Sequence, residues 1–143
     1  MKNYIVLMIV AVCLGFGLSS EVKDQPAVNI HIQAKSEDNK NPIYVQIMEF
    51  GDNRKFIQSD DGSFDLTLTT DRIYSVYVGQ KGQQTYLFNI NTHIEEMLVG
   101  NFSFSIDVKL TPKVENGPNK RIHDIEITSD KNNKPTLLFK KKN

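Results

Sequence analysis

The chain has 143 residues, with 17 Lys and Arg against 17 Asp and Glu, three His, one Cys and no Trp. A net charge of zero leaves no electrostatic footprint for nucleic acid, and this length holds one domain-sized core. The single thiol, Cys13, lies in the N-terminal apolar run, so the chain beyond it excludes disulfides, a cysteine nucleophile and thiolate metal sites.

Met1-Lys2-Asn3, an apolar run from Tyr4 to Leu18, the small pair Ser19-Ser20 and a switch to Glu21-Val22-Lys23-Asp24 read as a secretory signal peptide over residues 1–20. The apolar run is shorter than the roughly 20 residues of a membrane span. Membrane contact therefore follows only if the signal is retained or Cys13 is acylated, and Val12 is a poor residue to precede a lipoprotein cysteine. Residues 21–27, with Pro26, form a leader. The domain runs over 28–140 and residues 141–143 make a basic tail, read as a solvated end.

Within the domain, Val28, Ile30, Ile32 and Ala34 alternate with polar residues and predict a first half-buried strand. After the turn-rich Ser36 to Pro42, the run Ile43 to Met48 is a second strand, with Tyr44, Gln46 and Met48 on the face opposite Ile43, Val45 and Ile47. Phe56-Ile57 adds a short edge strand. Asp60-Asp61-Gly62-Ser63 is a tight turn leading into Phe64 to Thr69, which Thr70-Asp71 is expected to join to Tyr74 to Val78 as an antiparallel hairpin. Gly79 to Gly82 turns the chain into Tyr86 to Ile90. Ile94 to Leu98 could form one helical turn. Phe102 to Leu110 alternates without a fault and is expected to be the central strand. Ile122 to Thr128 and Thr136 to Lys140 form a last pair. About seven short strands without helical periodicity predict an all-β, Greek-key β-sandwich.

The pieces Asp61-Gly62-Ser63-Phe64, Tyr74-Ser75-Val76 through Lys81-Gly82, Asn91-Thr92 and Phe102 to Leu110 occur in an order that resembles the carboxypeptidase regulatory-like, or prealbumin-like, β-sandwich domains, above all the exported versions of Bacteroidota. The resemblance spans Val28 to Phe139. Gln83 departs from it, where relatives carry an aromatic. The resemblance implies an Ig-like sandwich used as an accessory, docking or spacer module, with no catalytic residues to carry over.

The chemistry-bearing residues are sparse. His31, His93 and His123 lack metal-ligand spacing, and no cofactor or metal is expected. Asp60-Asp61 and Glu95-Glu96 are neighbours in sequence, so in extended chain they point apart, unlike the facing carboxylates of a glycosidase. Asp52, Asn53, Asp60 and Asp61 are loop oxygens that could suit Ca²⁺, without the run of a calcium loop. Ser63, His123 and Asp124 make a triad only on paper, with no nucleophile elbow. The chain is thus expected to be no enzyme.

What remains is surface. Tyr44, Phe50 and Tyr77 are the residues expected to point outward and anchor a partner. The expected function is a non-catalytic exported module, periplasmic or otherwise outside the cytoplasm, that binds an envelope protein through loops or an unpaired strand edge at Gly51 to Ser59 or Lys134 to Phe139. The alternative is a small ligand, glycan or Ca²⁺, held by loops around Asp52 and Asp60.

Overall fold

A computed structural model describes residues 26–49, 54–96, 98, 102–118 and 120–141. The expected signal peptide, most of the leader, Phe50 to Asn53 and the end of the basic tail lie outside these residues. The described residues form nine strands and no helix: β1 Ala27–Lys35, β2 Ile43–Glu49, β3 Arg54–Ser59, β4 Ser63–Thr69, β5 Ile73–Gln80, β6 Thr85–Asn91, β7 Phe102–Lys109, β8 Lys120–Ser129 and β9 Pro135–Lys141.

Two sheets face each other, one of three strands in the order β4-β1-β7 and one of six in the order β3-β2-β5-β6-β8-β9. The fold is therefore an all-β sandwich, with nine strands where about seven were expected. The core is the inner face of both sheets: Val28, Ile30 and Ile32 from one layer meet Val45, Val76, Val78 and Ile90 from the other, all essentially without exposure. Period-2 alternation is the cause, since only one set of side chains on each strand can reach the space between layers. At its two ends the larger sheet approaches the smaller, β3 against β4 and β9 against β7, so it curls around the three-stranded layer.

Three expectations are corrected. Among the described residues Phe102 to Lys109 is an edge strand, paired only with β1 and parallel to it. β1 is the central strand, hydrogen-bonded to both β4 and β7. Clean alternation tells which side of a strand is buried, whereas centrality depends on neighbours to both sides in the sheet plane. Both strands alternate equally well, so the pattern could not separate them.

The expected hairpin of Phe64 to Thr69 with Tyr74 to Val78 does not form. β4 pairs β1, setting Leu66 opposite Ile30 and Phe64 opposite Ile32, while β5 lies in the other sheet between β2 and β6. The link from Thr70 to Arg72 thus crosses between layers. Thr92, fully buried, holds this crossing: its hydroxyl donates to the Thr69 carbonyl at 2.7 Å and accepts the Arg72 N–H at 3.0 Å. Asp71 takes a positive φ of 58° at the bend, which an Asp tolerates better than most residues. The Thr69 N–H donates to the Tyr74 hydroxyl at 3.1 Å, closing the arch from the far side.

Ile94 to Leu98 makes no helix among the described residues, which leave out Met97. Its one feature in the described residues is a single turn in which the Leu98 N–H donates to the Glu95 carbonyl at 2.9 Å. Other turns stand as expected. At Asp60 to Ser63, Asp61 accepts hydrogen bonds from the Ser59 hydroxyl and, at 2.9 Å, from the Ser63 N–H. Gly62 there has φ +71°, and a Cβ on it would fall 2.1 Å from the Ala34 carbonyl oxygen, so the β3–β4 turn needs a glycine to dock on β1. Gln83, where the resembled family carries an aromatic, is buried in an isolated bridge with Pro112, and the Gln84 N–H donates to the Thr111 carbonyl at 2.7 Å. Backbone pairing with the segment after β7 anchors the β5–β6 turn without an aromatic.

Candidate interaction surface

The outer face of the six-stranded sheet carries exposed Phe56 and half-buried Tyr44 and Tyr77. Residues directly opposite on neighbouring strands share a face, and the register sets Phe56 opposite Gln46, Gln46 opposite Tyr77, Tyr77 opposite Leu87 and Leu87 opposite Ile122. This row crosses five strands. Leu87 is buried although it points away from the core, because the row covers it. Phe56 is 58% exposed at the row's open end.

Tyr44 sits one step off the row, opposite Gly79 and diagonal to Tyr77. Its ring stacks on Phe56 with centroids 5.6 Å apart and planes at 24°. Gly79 provides the bed for that ring. Tyr77 is half-buried and receives the Lys120 ammonium 4.7 Å from its ring centroid, a cation–π contact. The patch is amphipathic, with an aromatic pair at edge strand β3, a third aromatic capped by a cation, and Gln46 and Gln58 between and beside them.

The structure thus places Tyr44 and Tyr77 on one face as neighbours. Phe50 lies outside the described residues. Phe56 and Leu87 were missed as outward residues, yet the signal was present: Phe56-Ile57 and Leu87-Phe88 are adjacent apolar residues in strands, so one of each pair must face away from the core. Gly51 to Asn53 of the expected edge also lie outside the described residues. The rest of that segment, and Lys134 to Phe139, belong to or lead into β3 and β9, the two edges of the larger sheet.

The remaining candidates are dispersed. His31 on the outer side of β1 lies 2.8 Å from Asp65 through Nδ1, and His93 lies 2.8 Å from Asp71. His123 is half-buried on the inner side of β8, stacked with Phe88 at 5.8 Å and Tyr86 at 6.2 Å. Asp124 points to the opposite face and accepts the Asn89 amide at 2.8 Å, and Ser63 belongs to the other sheet, so the paper triad is not assembled. Among the described residues no three His, Cys, Asp or Glu converge as a metal site. Asp52 and Asn53 are outside them. Asp60 and Asp61 line an open cleft of about 550 Å³ with Asp38 and Gln80. The Gln80 amide nitrogen donates to the Asp38 and Asn41 carbonyls at 2.8 and 2.5 Å, which pins the β1–β2 loop. Its buried Oε1 has no partner among the described residues.

Three aspartates that close loops titrate below the usual carboxylate range. The Lys40 N–H and the Asn41 amide do this for Asp38, the Ser59 hydroxyl and Ser63 N–H for Asp61, and the Lys134 and Asn132 N–H groups for Asp130. Each donor favours the ionised form.

No family model matches the chain, and no curated protein matches it. Among solved structures it is similar to the C-terminal fragment of the pilus adhesin SpaC from Lactobacillus rhamnosus GG, at 7% identity and a TM-score of 0.38, over 65% of this chain and 48% of that one. The chain thus spans about half the length of that fragment.

Proposed function

We propose that the chain is a non-catalytic accessory module of the bacterial envelope, exported by its N-terminal segment and of the carboxypeptidase regulatory-like type, which docks a protein partner at edge strand β3 and the aromatic patch beside it. The observation that carries this reading is Phe56, exposed on an unpaired edge and stacked on Tyr44. A strand of the partner adding to β3 would satisfy the free backbone groups of that edge. Its outward side chains would cover Phe56 and Tyr44, and such buried aromatic anchors carry most of the energy of a small interface. The charge balance, near zero, suits a partner chosen by shape and strand pairing more than by long-range attraction.

The test is crosslinking of the tagged protein in its own cells, with a photoreactive residue at Gln58. One reproducible envelope protein, lost on Phe56→Ala while the fold persists, supports the reading. A blank at adequate expression, or capture unchanged by Phe56→Ala, overturns it. Glycan stacking is separated by Tyr44→Ala with Tyr77→Ala, because retention on a glycan column would then fall with folding intact.

A further inference from the structure

We infer that β9 is a self-association edge, pairing antiparallel with β9 of a second copy about a twofold axis through Leu138. This goes beyond the docking surface proposed above, which lies on β3 at the opposite end of the same sheet.

Among the described residues β9 is the last strand of the larger sheet and pairs only with β8. Leu138 on its outer side is 44% exposed and Phe139 on its inner side 47% exposed. It is the one described edge strand with large apolar side chains exposed on both faces; β3 shows only Phe56, and β4 and β7 turn Ser, Asp, Thr and Lys outward. Edge strands are commonly guarded by lysines. Here Lys140 is drawn back over its own sheet, its Nζ 2.6 Å from Glu126 Oε2 on β8, so it does not guard the edge.

The sequence of β9 selects the partner and the register. A twofold axis normal to the sheet keeps inward residues beside inward ones, so it must pass through a residue. Centred on Leu138, Leu138 meets Leu138, Leu137 meets Phe139, Thr136 meets Lys140 and Pro135 meets Lys141. Each large apolar residue then faces another, and Lys140 and Lys141 of the strand face uncharged residues. Centring on Leu137 sets Leu138 against Thr136 and Phe139 against Pro135, and centring on Phe139 sets Leu138 and Leu137 against Lys140 and Lys141. Parallel in-register pairing would put Lys140 beside Lys140, and like charges directly opposite destabilise a pair. The pairing is isologous and closed, so it ends at a dimer.

Residues 21–143 hold every described core residue and no native cysteine, so introduced thiols are the only ones. In the proposed dimer the Cα atoms of the two residues 138 lie about 4.5–5.5 Å apart, within disulfide reach. The two residues 136, or the two residues 140, lie about 13 Å apart. Leu138→Cys is therefore expected to give a disulfide dimer at least about tenfold faster than Thr136→Cys or Lys140→Cys alone, whereas mixing those two gives a mixed dimer as readily. Thr136→Asp, facing Lys140 of the copy twice over, is expected to tighten the dimer several-fold by sedimentation, and Leu138→Lys to dissociate it. Equal crosslinking at all three positions, failure of the mixed pair, or an unaltered chain that stays monomeric up to about 1 mM overturns the inference. Capture through Phe56 is read separately on the Leu138→Lys chain, so failure of one proposal leaves the other decided on its own result.

Discussion

The ring of Tyr44 lies over Gly79: a Cβ built on that glycine would fall 2.5 Å from the Tyr44 hydroxyl oxygen and 2.7 Å from Cζ. The glycine, on an inner strand of the sheet, leaves room for the hydroxyl end of the ring against its backbone, and Phe56 stacks on the ring. Gly79 thereby shapes the aromatic patch without contributing a side chain to it.

Gly79→Ala should cost about 1–3 kcal/mol in urea unfolding, because the ring must leave its bed and press on Phe56. In a Tyr44→Ala background the same change should be near neutral, giving a coupling of about 1 kcal/mol or more. An equal cost in both backgrounds would show that the glycine serves the backbone alone.

Thr92→Val removes the hydroxyl that clamps the crossing between sheets and leaves the Arg72 N–H and the Thr69 carbonyl without it. Unfolding should be easier by about 2 kcal/mol. Thr92→Ser keeps the hydroxyl and should lose only about 0.8 kcal/mol, the share of one methyl group. Denaturant midpoints of the two variants decide the matter.

Acid stability should depend on the loop aspartates. Asp61 and Asp130 are held below the ordinary aspartate value in the folded chain, through the Ser59 hydroxyl and the Lys134 N–H first. A depressed folded pKa means the contribution is fully present above the unfolded value and is lost as pH falls through the folded one. Asp61→Asn with Asp130→Asn keeps acceptors in place but removes the titration. Melting temperature against pH should therefore fall less steeply below about pH 4 for the double variant than for the unaltered chain.

Gln80→Leu should loosen the β1–β2 loop while changing global stability by less than about 1 kcal/mol. Two donors to the Asp38 and Asn41 carbonyls are lost, but so is a buried acceptor without a partner among the described residues. Hydrogen exchange at Lys40 and its neighbours should accelerate about tenfold with strand protection unchanged. Unchanged exchange would mean that the loop holds itself through Asp38, which accepts the Lys40 N–H at 2.8 Å.

Much of this was legible in the residues. Alternation located the strands to within a residue or two for the most part, from Val28 to Ala34 through to Thr136 to Lys140, because a period of two is imposed locally by the pleat. The turn at Asp61-Gly62 was readable for the same local reason, a glycine at positive φ and a carboxylate that caps its own turn. Tyr44 and Tyr77 could be assigned to the outward face because Val45 and Val78 beside them claim the inward one.

What the tertiary structure decided was adjacency. Thr70-Asp71 is as compatible with a hairpin as with an arch between layers, and the choice rests on Thr92, twenty residues downstream of Arg72. That β1 and not β7 is central, that β1 and β7 run parallel, and that Phe56 stacks on Tyr44 over Gly79 are all contacts between strands distant in sequence. Periodicity tells each strand which side to bury; only the packing of both sheets around one core determines which strand lies beside it.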